Sequence, residues 1–590
     1  MCGFVGGTEP DWHYQSALDS IRHRGPDAEG VTMKGPIRAG FRRLSIIDLA
    51  EAANQPLYAD DGETWIVFNG EIYGYQRLRV ELESLGNVFR TKSDTEVLLT
   101  AYLEWGEGFL DRVDGMFAIG IWDARDRKFR LYRDRPGIKP VYYFYDGKRF
   151  AFASELKAIE ALLTKPSLSV DPSALYDFLG YRYVPAPKTL YKNCFKLQPG
   201  HMLTYDPATG HATTPSAYWV LPTEIRNDSS IDAAAEELRS LIDESVRDQM
   251  IADVPLGFFL SGGIDSSTVV AAATAAASDV STFSIGFDSD ETSETPYARL
   301  VADHFRTRHH ERILSKSAAH DLLPRLKTWF DEPFADDSAL PTYLVSQIAR
   351  EKVTVVLTGD GGDEVFGGYN TYKRYERYQE LPSWPTWLDR WAVKARRRLH
   401  RRSPVNRLLR ILETALSSDI ELWAKIMLGI SPHGKTDFRK ELGLGSDYDD
   451  WWHFRQYWRQ DLPTRTRLQY VDFHTFLPGS ILTKVDRTSM AVSLEARVPF
   501  LSRRLIEFSF ALPEPIRLYA GEPKGLLKYA YREILPRTIL DRRKKGFGVP
   551  RDYLGDLGDG APLQEALLYE LFHQEVVSSR NSLHQPARIA

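Results

Sequence analysis

Up to about residue 205 the apolar positions come in short runs. TWIVFNG, GMFAIGIWD, KFRLYRD, VYYFYDG and RFAFAS are each cut off by glycine, aspartate or a charged residue. That is the pattern of strands and hairpins. Two stretches, Tyr75–Leu85 and Asp94–Trp105, keep helical spacing instead. The mixture predicts an α+β domain over 1–205, with stacked antiparallel sheets and helices outside them. Residues 206–230, DPATGHATTPSAYWVLPTEIRNDSS, are rich in Thr, Ser and Pro and read as a linker. IDAAAEELRSLIDESVRDQM then reads as an amphipathic helix. After it, strand and helix signals alternate. PLGFFL precedes SSTVVAAATAAA, STFSIGF precedes a helix from about Tyr297, and VTVVLTG precedes another. This predicts an α/β domain with a parallel sheet over 231–550, mainly helical from about Leu381. Residues 551–590 carry weak signals and read as a partly mobile tail.

Composition adds constraints. A chain of 590 residues is too long for a single core. Hydrophobic residues at 43% and charged residues at 26% are ordinary for a globular protein. A net charge of -5 gives no reason to expect nucleic acid as a partner. The only cysteines are Cys2 and Cys194, too few for a disulfide framework and in keeping with a reducing cytoplasm. The start, MCGFVGGTEPDWHYQ, lacks the basic and apolar regions of a signal peptide. No stretch reaches about 18 uninterrupted apolar residues, so no membrane span is expected.

Cys2 is the first candidate for chemistry. Met1 is normally removed when a small side chain follows, which would leave Cys2 with a free amino group. That amine, with a pKa near ~8, is a base beside the thiol. One residue would supply nucleophile and base. A cysteine at position 2 also arises by chance, so its companions decide. They are MCGFVG, RHRGPD (Arg22–Asp27), RRLSIIDL (Arg42–Leu49), NGEIYGY (Asn69–Tyr75), SDTEVLL (Ser93–Leu99), GMFAIGIWD (Gly115–Asp123) and RDRPGIKPVYY (Arg133–Tyr143). With these motifs in this order, the N-terminal half resembles the class II glutamine amidotransferase domain, an N-terminal nucleophile hydrolase. The resemblance implies that Cys2 attacks the side-chain amide of glutamine. Asn69 and Gly70 would then donate to the oxyanion. Arg43 would grip the α-carboxylate. Glu71 and Asp94 would hold the α-ammonium, and Arg24, Gly25 and Pro26 would shape the pocket wall. Singly, each has a plainer reading: Asn-Gly as a hairpin turn, Arg43 as a surface cation, Asp94 as a helix cap in SDTE.

The second constellation is VPLGFFLSGGIDSSTVV. A strand runs through a glycine turn into a helix starting near Ser266, whose free N–H groups would face an anion. Gly262 and Gly263 allow close approach of the backbone. Ser261, Ser266 and Ser267 add hydroxyl donors. Asp265 would repel phosphate unless a cation lay between them, so it reads as a Mg²⁺ ligand. The loop lacks the Gly-Lys-Ser/Thr ending of a Walker A motif. It is similar to the SGGxDS loop of ATP pyrophosphatases, which cleave ATP between the α- and β-phosphates. That likeness implies ATP contacts from Leu260, Ser261, Gly262, Gly263, Asp265, Ser266 and Ser267. Ile285 and Gly286 of SIGF would line the adenosine site. Thr358, Gly359 and Asp360 of VVLTGDGGDEVFGGY would join them, with Asp363 pairing with Asp265 on Mg²⁺. Asp360 stands where the best-known relatives carry glutamate. In TKVDRTSMAVSLEARVPFL (Thr483–Leu501), Lys484 and Arg487 are alternative catalytic cations for the departing pyrophosphate, and the choice stays open. Glu495 and Arg497 read as a structural pair. Lys528 is a further candidate phosphate ligand.

Both constellations in one chain resemble the glutamine-dependent asparagine synthetases, from Cys2 to about Pro550. The resemblance implies three small-molecule substrates: glutamine, ATP and a carboxylate acceptor. The acceptor, aspartate in the type reaction, would be adenylated and then aminated by ammonia that crosses an internal channel. Mg²⁺ is the implied cofactor. Neither nucleic acid nor membrane is expected as a partner, and a homodimer is left open. No residue sets the acceptor, so a cell-wall precursor, a surface sugar or a specialised metabolite stays open beside aspartate. A plain glutaminase with an idle second half, against which the intact SGGIDSS loop argues, and a non-catalytic sensor of glutamine or ATP are the remaining readings. The basic run KARRRLHRRS (Lys394–Ser403) reads as a solvated face. RRKKGFGVP (Arg542–Pro550) reads as a basic loop near the ATP site, and DDWWHFRQYW (Asp449–Trp458) as core or domain contact.

Overall fold

The short apolar runs of the N-terminal half pair into two antiparallel sheets. The computed structural model describes residues 2–164, 168–226, 230–288, 294–315, 325–380, 417–428 and 436–542, with positions 317, 321–322, 403–405 and 408–409 between them. In the first sheet the strand order is Cys194–Lys196, Tyr142–Tyr145, Phe150–Ala153, Gly3–Gly7, Arg38–Arg43 and Ala28–Thr32. In the second it is His211–Ala212, His201–Asp206, Lys128–Arg133, Asp114–Asp123, Trp65–Tyr73 and Leu57–Tyr58. Phe4, Phe41, Trp65, Val67, Phe129 and Phe152 fill the space between the sheets, all fully buried. The Phe129 and Phe152 rings stack at 4.4 Å. Tyr75–Ser84 and Asp94–Trp105 are helices, as their spacing predicts, and bury Leu78, Leu82, Val97 and Leu98 against the second sheet.

The segment expected to be a linker is partly sheet. His211–Ala212 and Ser216–Ala217 both pair with His201–Asp206. Its Thr- and Pro-rich composition hid two strands too short to show periodicity.

The C-terminal half builds one parallel sheet, in the order Arg308–Leu314, Ser281–Phe287, Leu256–Phe259, Val355–Leu357 and Glu495–Arg497. The helices Ile231–Gln249, Ile264–Ala276, Thr295–Phe305 and Ala339–Arg350 accompany it. Its two outer strands have no apolar pattern. Arg308–Leu314, RHHERIL, is a half-exposed edge, where polar residues discourage further pairing. Glu495–Arg497, EAR, is wholly buried because the other half of the chain covers it. The aromatic cluster is a contact between the halves, as read: Trp451 meets Tyr181 edge-on at 6.1 Å, and Trp452 Nε1 donates to Asp177 at 3.0 Å. Most of the run Lys394–Ser403, positions 543–550 of the second basic run and the tail 551–590 lie outside the described residues. Among the described residues, no helix is long and apolar enough to cross a membrane.

Buried charge joins the two halves. Arg24 is fully buried and lies between Glu155, at 2.7 Å, and Asp486 of the C-terminal half, at 2.8 and 2.9 Å. Arg487 pairs with Glu155 at 2.9 Å and Asp331 at 3.0 Å. Lys157 reaches the same two carboxylates at 3.1 Å. Removing one partner of a buried pair strands the other charge in a dry interior. Asp486→Ala is therefore expected to cost about 3–5 kcal/mol. The measurement is the denaturation midpoint of the full chain, and a change equivalent to under about 1 kcal/mol would place the seam in contact with water.

Candidate active sites

Cys2 precedes the strand Gly3–Gly7 and is buried. Its Sγ faces the Leu44 carbonyl at 3.8 Å. Burial pushes the thiol pKa up, against the pull of nearby Arg43. The thiol therefore rests protonated and needs a base before it can attack. The Cys2 N–H donates to Asn69 Oδ1 at 3.0 Å. This contact fixes the Asn69 amide and leaves Nδ2 buried, with no hydrogen-bond partner among the described residues. Leaving such a donor unsatisfied costs about 1–3 kcal/mol. A charge developing on a substrate oxygen would satisfy it.

Asn69 and Gly70 lie inside the strand Trp65–Tyr73, so they form no hairpin turn. Gly70 sits opposite Phe117. A Cβ on Gly70 would come within 2.0 Å of the Met116 carbonyl, so only glycine fits. Arg43 is buried rather than a surface cation. Its guanidinium donates to the carbonyls of Ile47 at 3.3 Å and Ala50 at 3.0 Å, to that of Asp48, and to Asn54 Oδ1 at 2.8 Å. It holds the loop beside the thiol. The cap in SDTE is Ser93, whose Oγ accepts from the Thr95 N–H at 3.1 Å. Asp94 is left free of that task and accepts from the Ile72 N–H at 3.0 Å. Burial raises its carboxyl to about 6. Glu71 is pushed up by burial and by the neighbouring Glu495 and Asp94. Cys2, Arg43, Asn69, Glu71 and Asp94 thus share one end of the stacked sheets. The surprise is Glu495, a carboxylate from the far half of the chain; nothing in its sequence context pointed to this pocket.

The second site lies at the C-terminal ends of the parallel strands, where open α/β sheets bind ligands. Leu260 is buried at the end of Leu256–Phe259, and its N–H donates to Phe283 O at 2.9 Å. The following helix starts at Ile264, two residues before the expected Ser266, and no side chain caps it. Ser266 Oγ turns back instead to the Gly263 carbonyl and to the Ser261 N–H and Oγ, each at 3.2 Å. Ser267 Oγ is buried without a partner among the described residues. Gly262 has φ +69, and a Cβ there would sit 2.5 Å from Tyr297. Ile285 and Gly286 end the strand Ser281–Phe287, and Thr358, Gly359 and Asp360 follow Val355–Leu357. A Cβ on Gly359 would lie 2.7 Å from Ser266 N, so the two loops interlock. These neighbouring strand ends bring the expected phosphate-binding residues together.

Asp265 and Asp363 face each other across one ammonium, that of Lys524. Lys524 Nζ pairs with Asp363 Oδ1 at 2.6 Å and with Asp265 Oδ2. Lys524 was missed in the sequence, where attention fell on Lys528 four residues on. Lys528 instead pairs with Glu522 at 2.9 Å on the outer side of the helix. Lys524 has φ +56, a strained conformation for a residue with a side chain and one that recurs at functional sites. The ammonium marks a place where positive charge is wanted. A Mg²⁺ ion takes one or two carboxylates together with waters and phosphate oxygens, so Asp265 and Asp363 fit that ion. Among the described residues no group of three or more potential metal ligands exists.

The two cations left open in the sequence are placed differently. Arg487 lies in the interdomain seam, bound to Glu155, Asp331 and the Tyr142 hydroxyl. Its guanidinium is engaged there by two carboxylates. Lys484 is buried and donates to Ser338 Oγ at 3.0 Å. Arg542, first of the second basic run, reaches the Gly262 carbonyl at 3.1 Å, and its guanidinium lies 4.1 Å from the centre of the Tyr297 ring.

A buried N-terminal-region thiol beside an unsatisfied amide donor, joined to a glycine-rich loop at the ends of a parallel sheet, fits a glutamine amidotransferase joined to an ATP-dependent ligase. The family comparisons agree. Residues 1–219 match the glutamine amidotransferase domain model, and residues 237–585 match the asparagine synthase model. The chain is 35% identical over 561 residues to "Asparagine synthetase [glutamine-hydrolyzing] 1" of Bacillus subtilis strain 168, covering 93% of this chain and 87% of the relative. It is 34% identical over 550 residues to "Putative asparagine synthetase [glutamine-hydrolyzing]" of Mycobacterium tuberculosis H37Rv, covering 90% and 83%. "Amidase chry2" of Gibberella zeae is 26% identical over 613 residues, covering 94% and 86%. The chain belongs to the glutamine-hydrolysing asparagine synthetase family.

Two outcomes follow from the geometry. Lys524→Ala is expected to lower acceptor-dependent exchange between ATP and pyrophosphate by about 100-fold or more. Lys528→Ala should change it less than about twofold, as befits a solvated pair. Equal losses would return the phosphate role to Lys528. For Asp94, the native carboxyl holds its proton to about 6, against 3.8 unperturbed. Native protein therefore binds more protons than unfolded chain between those values, and Asp94 costs stability progressively as pH rises through that window. Asp94→Asn should match the wild type below about pH 4 and gain on it above pH 6, by up to about 3 kcal/mol. Thermal melts at both pH values test this, and a constant difference would contradict it.

Proposed function

We propose that the chain adenylates a carboxylate, with aspartate as the first assignment, and aminates it with ammonia that Cys2 takes from glutamine. The observation that carries this reading is the pairing of Cys2 with Asn69 in one half and of Lys524 with Asp265 and Asp363 in the other. After loss of Met1 the Cys2 amine takes the thiol proton, and Sγ attacks the glutamine amide carbon. Asn69 Nδ2 and the Gly70 N–H receive the oxyanion. Arg43 binds the α-carboxylate, while Glu71 and Asp94 bind the α-ammonium. Collapse expels ammonia and leaves a thioester that water cleaves to glutamate.

In the second site the acceptor carboxylate attacks the α-phosphorus of ATP, and pyrophosphate leaves. Ser261, Gly263, Ser266 and Ser267 offer donors to the phosphates. Lys524, now paired with two carboxylates, has the length and charge to follow the departing pyrophosphate. A Mg²⁺ ion held by Asp265 and Asp363 would neutralise phosphate charge. Ammonia then displaces AMP from the acyl group. It stays nucleophilic only if it stays unprotonated and out of bulk water. A cavity at the junction of the halves, lined among others by Tyr142, Lys196, His453 and His474, suits that passage. Burial lowers the two histidines to about 3 and about 4, so both are neutral and donate no proton to ammonia.

A different carboxylate is the second reading, favoured by the equally long match to a relative named an amidase. Incubation with ATP, Mg²⁺, glutamine and aspartate should give asparagine and AMP in equal amounts. AMP formed with other carboxylates and none with aspartate would transfer the assignment. Cys2→Ala should abolish glutamine-dependent product, about 10⁴-fold or more for loss of a nucleophile. Synthesis from added ammonia should continue. Glutamine-driven synthesis surviving in that variant would reject Cys2 as the nucleophile.

A further inference from the structure

The three-residue strand Glu495–Arg497 touches both active sites. On its backbone side it pairs in parallel with Val355–Leu357, which leads into the loop bearing Asp360 and Asp363. The first N–H of that loop, of Thr358, donates to the Arg497 carbonyl at 2.9 Å. The Thr358 Oγ1 in turn accepts from the Asp360 N–H at 3.3 Å. On its side-chain side the strand enters the glutamine pocket. Arg497 is 1% exposed, with Nε on Glu495 Oε1 at 2.6 Å. Nη1 donates to the carbonyls of Gln249 and Ile251 at 2.6 and 2.7 Å. Nη2 faces Glu71 Oε2 at 3.5 Å, beyond a good hydrogen bond. Both of those atoms are buried, and neither has a hydrogen-bond partner among the described residues. Two anchored nitrogens therefore aim the third at a carboxylate of the glutamine pocket.

Glu71 needs such a neighbour. Glu495 from the same strand and Asp94 from the helix Asp94–Trp105 both face it with negative charge, and the Tyr73 ring packs beside it on its own strand. Arg497 is a cation on the opposite side.

We propose that Arg497 is a positioning residue lent by the synthetase half to the glutamine pocket. It holds Glu71 in place and favours its charged form for the substrate α-ammonium, and through Thr358 it ties that carboxylate to the loop of Asp363. The proposal rests on the reading of Glu71 as an ammonium ligand. It gives the pair seen in the sequence as structural a part in selecting the substrate. Glutamine would be read fully only while the synthetase sheet is in place.

The test uses glutamine and glutaramate, the analogue without the α-amino group. Hydrolysis of both is measured on the full chain as wild type, Glu71→Gln, Arg497→Met and Arg497→Lys. Ammonia-dependent AMP formation reports that each variant is folded. The preference in kcat/KM for glutamine over glutaramate should fall about tenfold or more in Glu71→Gln and in Arg497→Met, through loss on glutamine alone. Arg497→Lys, which keeps the charge, should recover part of the preference. It also carries the test should Arg497→Met fail to fold. A merely structural arginine would slow both substrates equally. That result, with the preference still lost in Glu71→Gln, would overturn the proposal and leave Glu71 as the ammonium ligand. An unchanged preference in Glu71→Gln would overturn both.

Discussion

The guanidinium of Arg24 is the point on which the molecule turns. It is fully buried, and every polar contact it makes crosses something. Two nitrogens clamp Asp486 of the C-terminal half, one of them also holds Glu155 of its own half, and Nε donates to the carbonyl of Cys2 at 3.0 Å. Taking such an ion out of water costs several kcal/mol and is offset only when good partners meet it. Arginine suits the task because its planar fork can satisfy several acceptors at once. The consequence is a dependence of chemistry on assembly. The backbone of Cys2 is held by a residue whose charge is compensated from both halves, by Glu155 in one and by Asp486 in the other.

The two sites solve opposite electrostatic problems. The thiol site is dry. Burial raises the Cys2 thiol, Asp94 and Glu71 together, and Arg497 opposes the shift at Glu71. The phosphate site must instead accept an anion that arrives already charged. It does so with backbone rather than side chains. Glycines at 262, 359, 362 and 368 let loops approach where any Cβ would collide, Gly368 within 1.9 Å of Asp363 Oδ1. A buried cation, Lys524, waits between carboxylates that a substrate's own charge can displace.

Much of this was legible in the sequence because it is local. SGGIDSS must be a strand, a turn and a helix start whatever surrounds it, and the alternating runs pair as antiparallel strands. The glutamine-site residues also travel as short motifs. What escaped notice was set by contacts between distant segments. Lys524 precedes the helix Gly525–Ala530 that carries Lys528, and only tertiary packing says which faces Asp363. Arg487 reads as a free cation beside a reactive segment until Glu155 and Asp331 are found around it, 332 and 156 positions earlier in the chain. EAR and RHHERIL carry no apolar rhythm, so neither signals a strand. Their pairing is imposed by neighbours already in the sheet. The strands of 211–217 were lost for the same reason, being two residues long.

The buried edge of the parallel sheet sets both sites against one packed element. An exposed edge strand presents unpaired N–H and C=O groups and tends to recruit other chains. Here the edge Glu495–Arg497 is buried, its two charged side chains pair with each other, and Arg497 faces Glu71 of the amidotransferase half. The same contact that protects the edge brings Glu495 beside the thiol pocket. With Arg24 and Asp486 fixing the halves a few residues away, the separation of the two sites is set by packed secondary structure rather than by a hinge. On the function proposed above, ammonia released at Cys2 would meet a packed junction with neutral histidines in its wall. A rigid path of fixed length is what a small, easily protonated intermediate requires, because each opening to water is a chance to be lost.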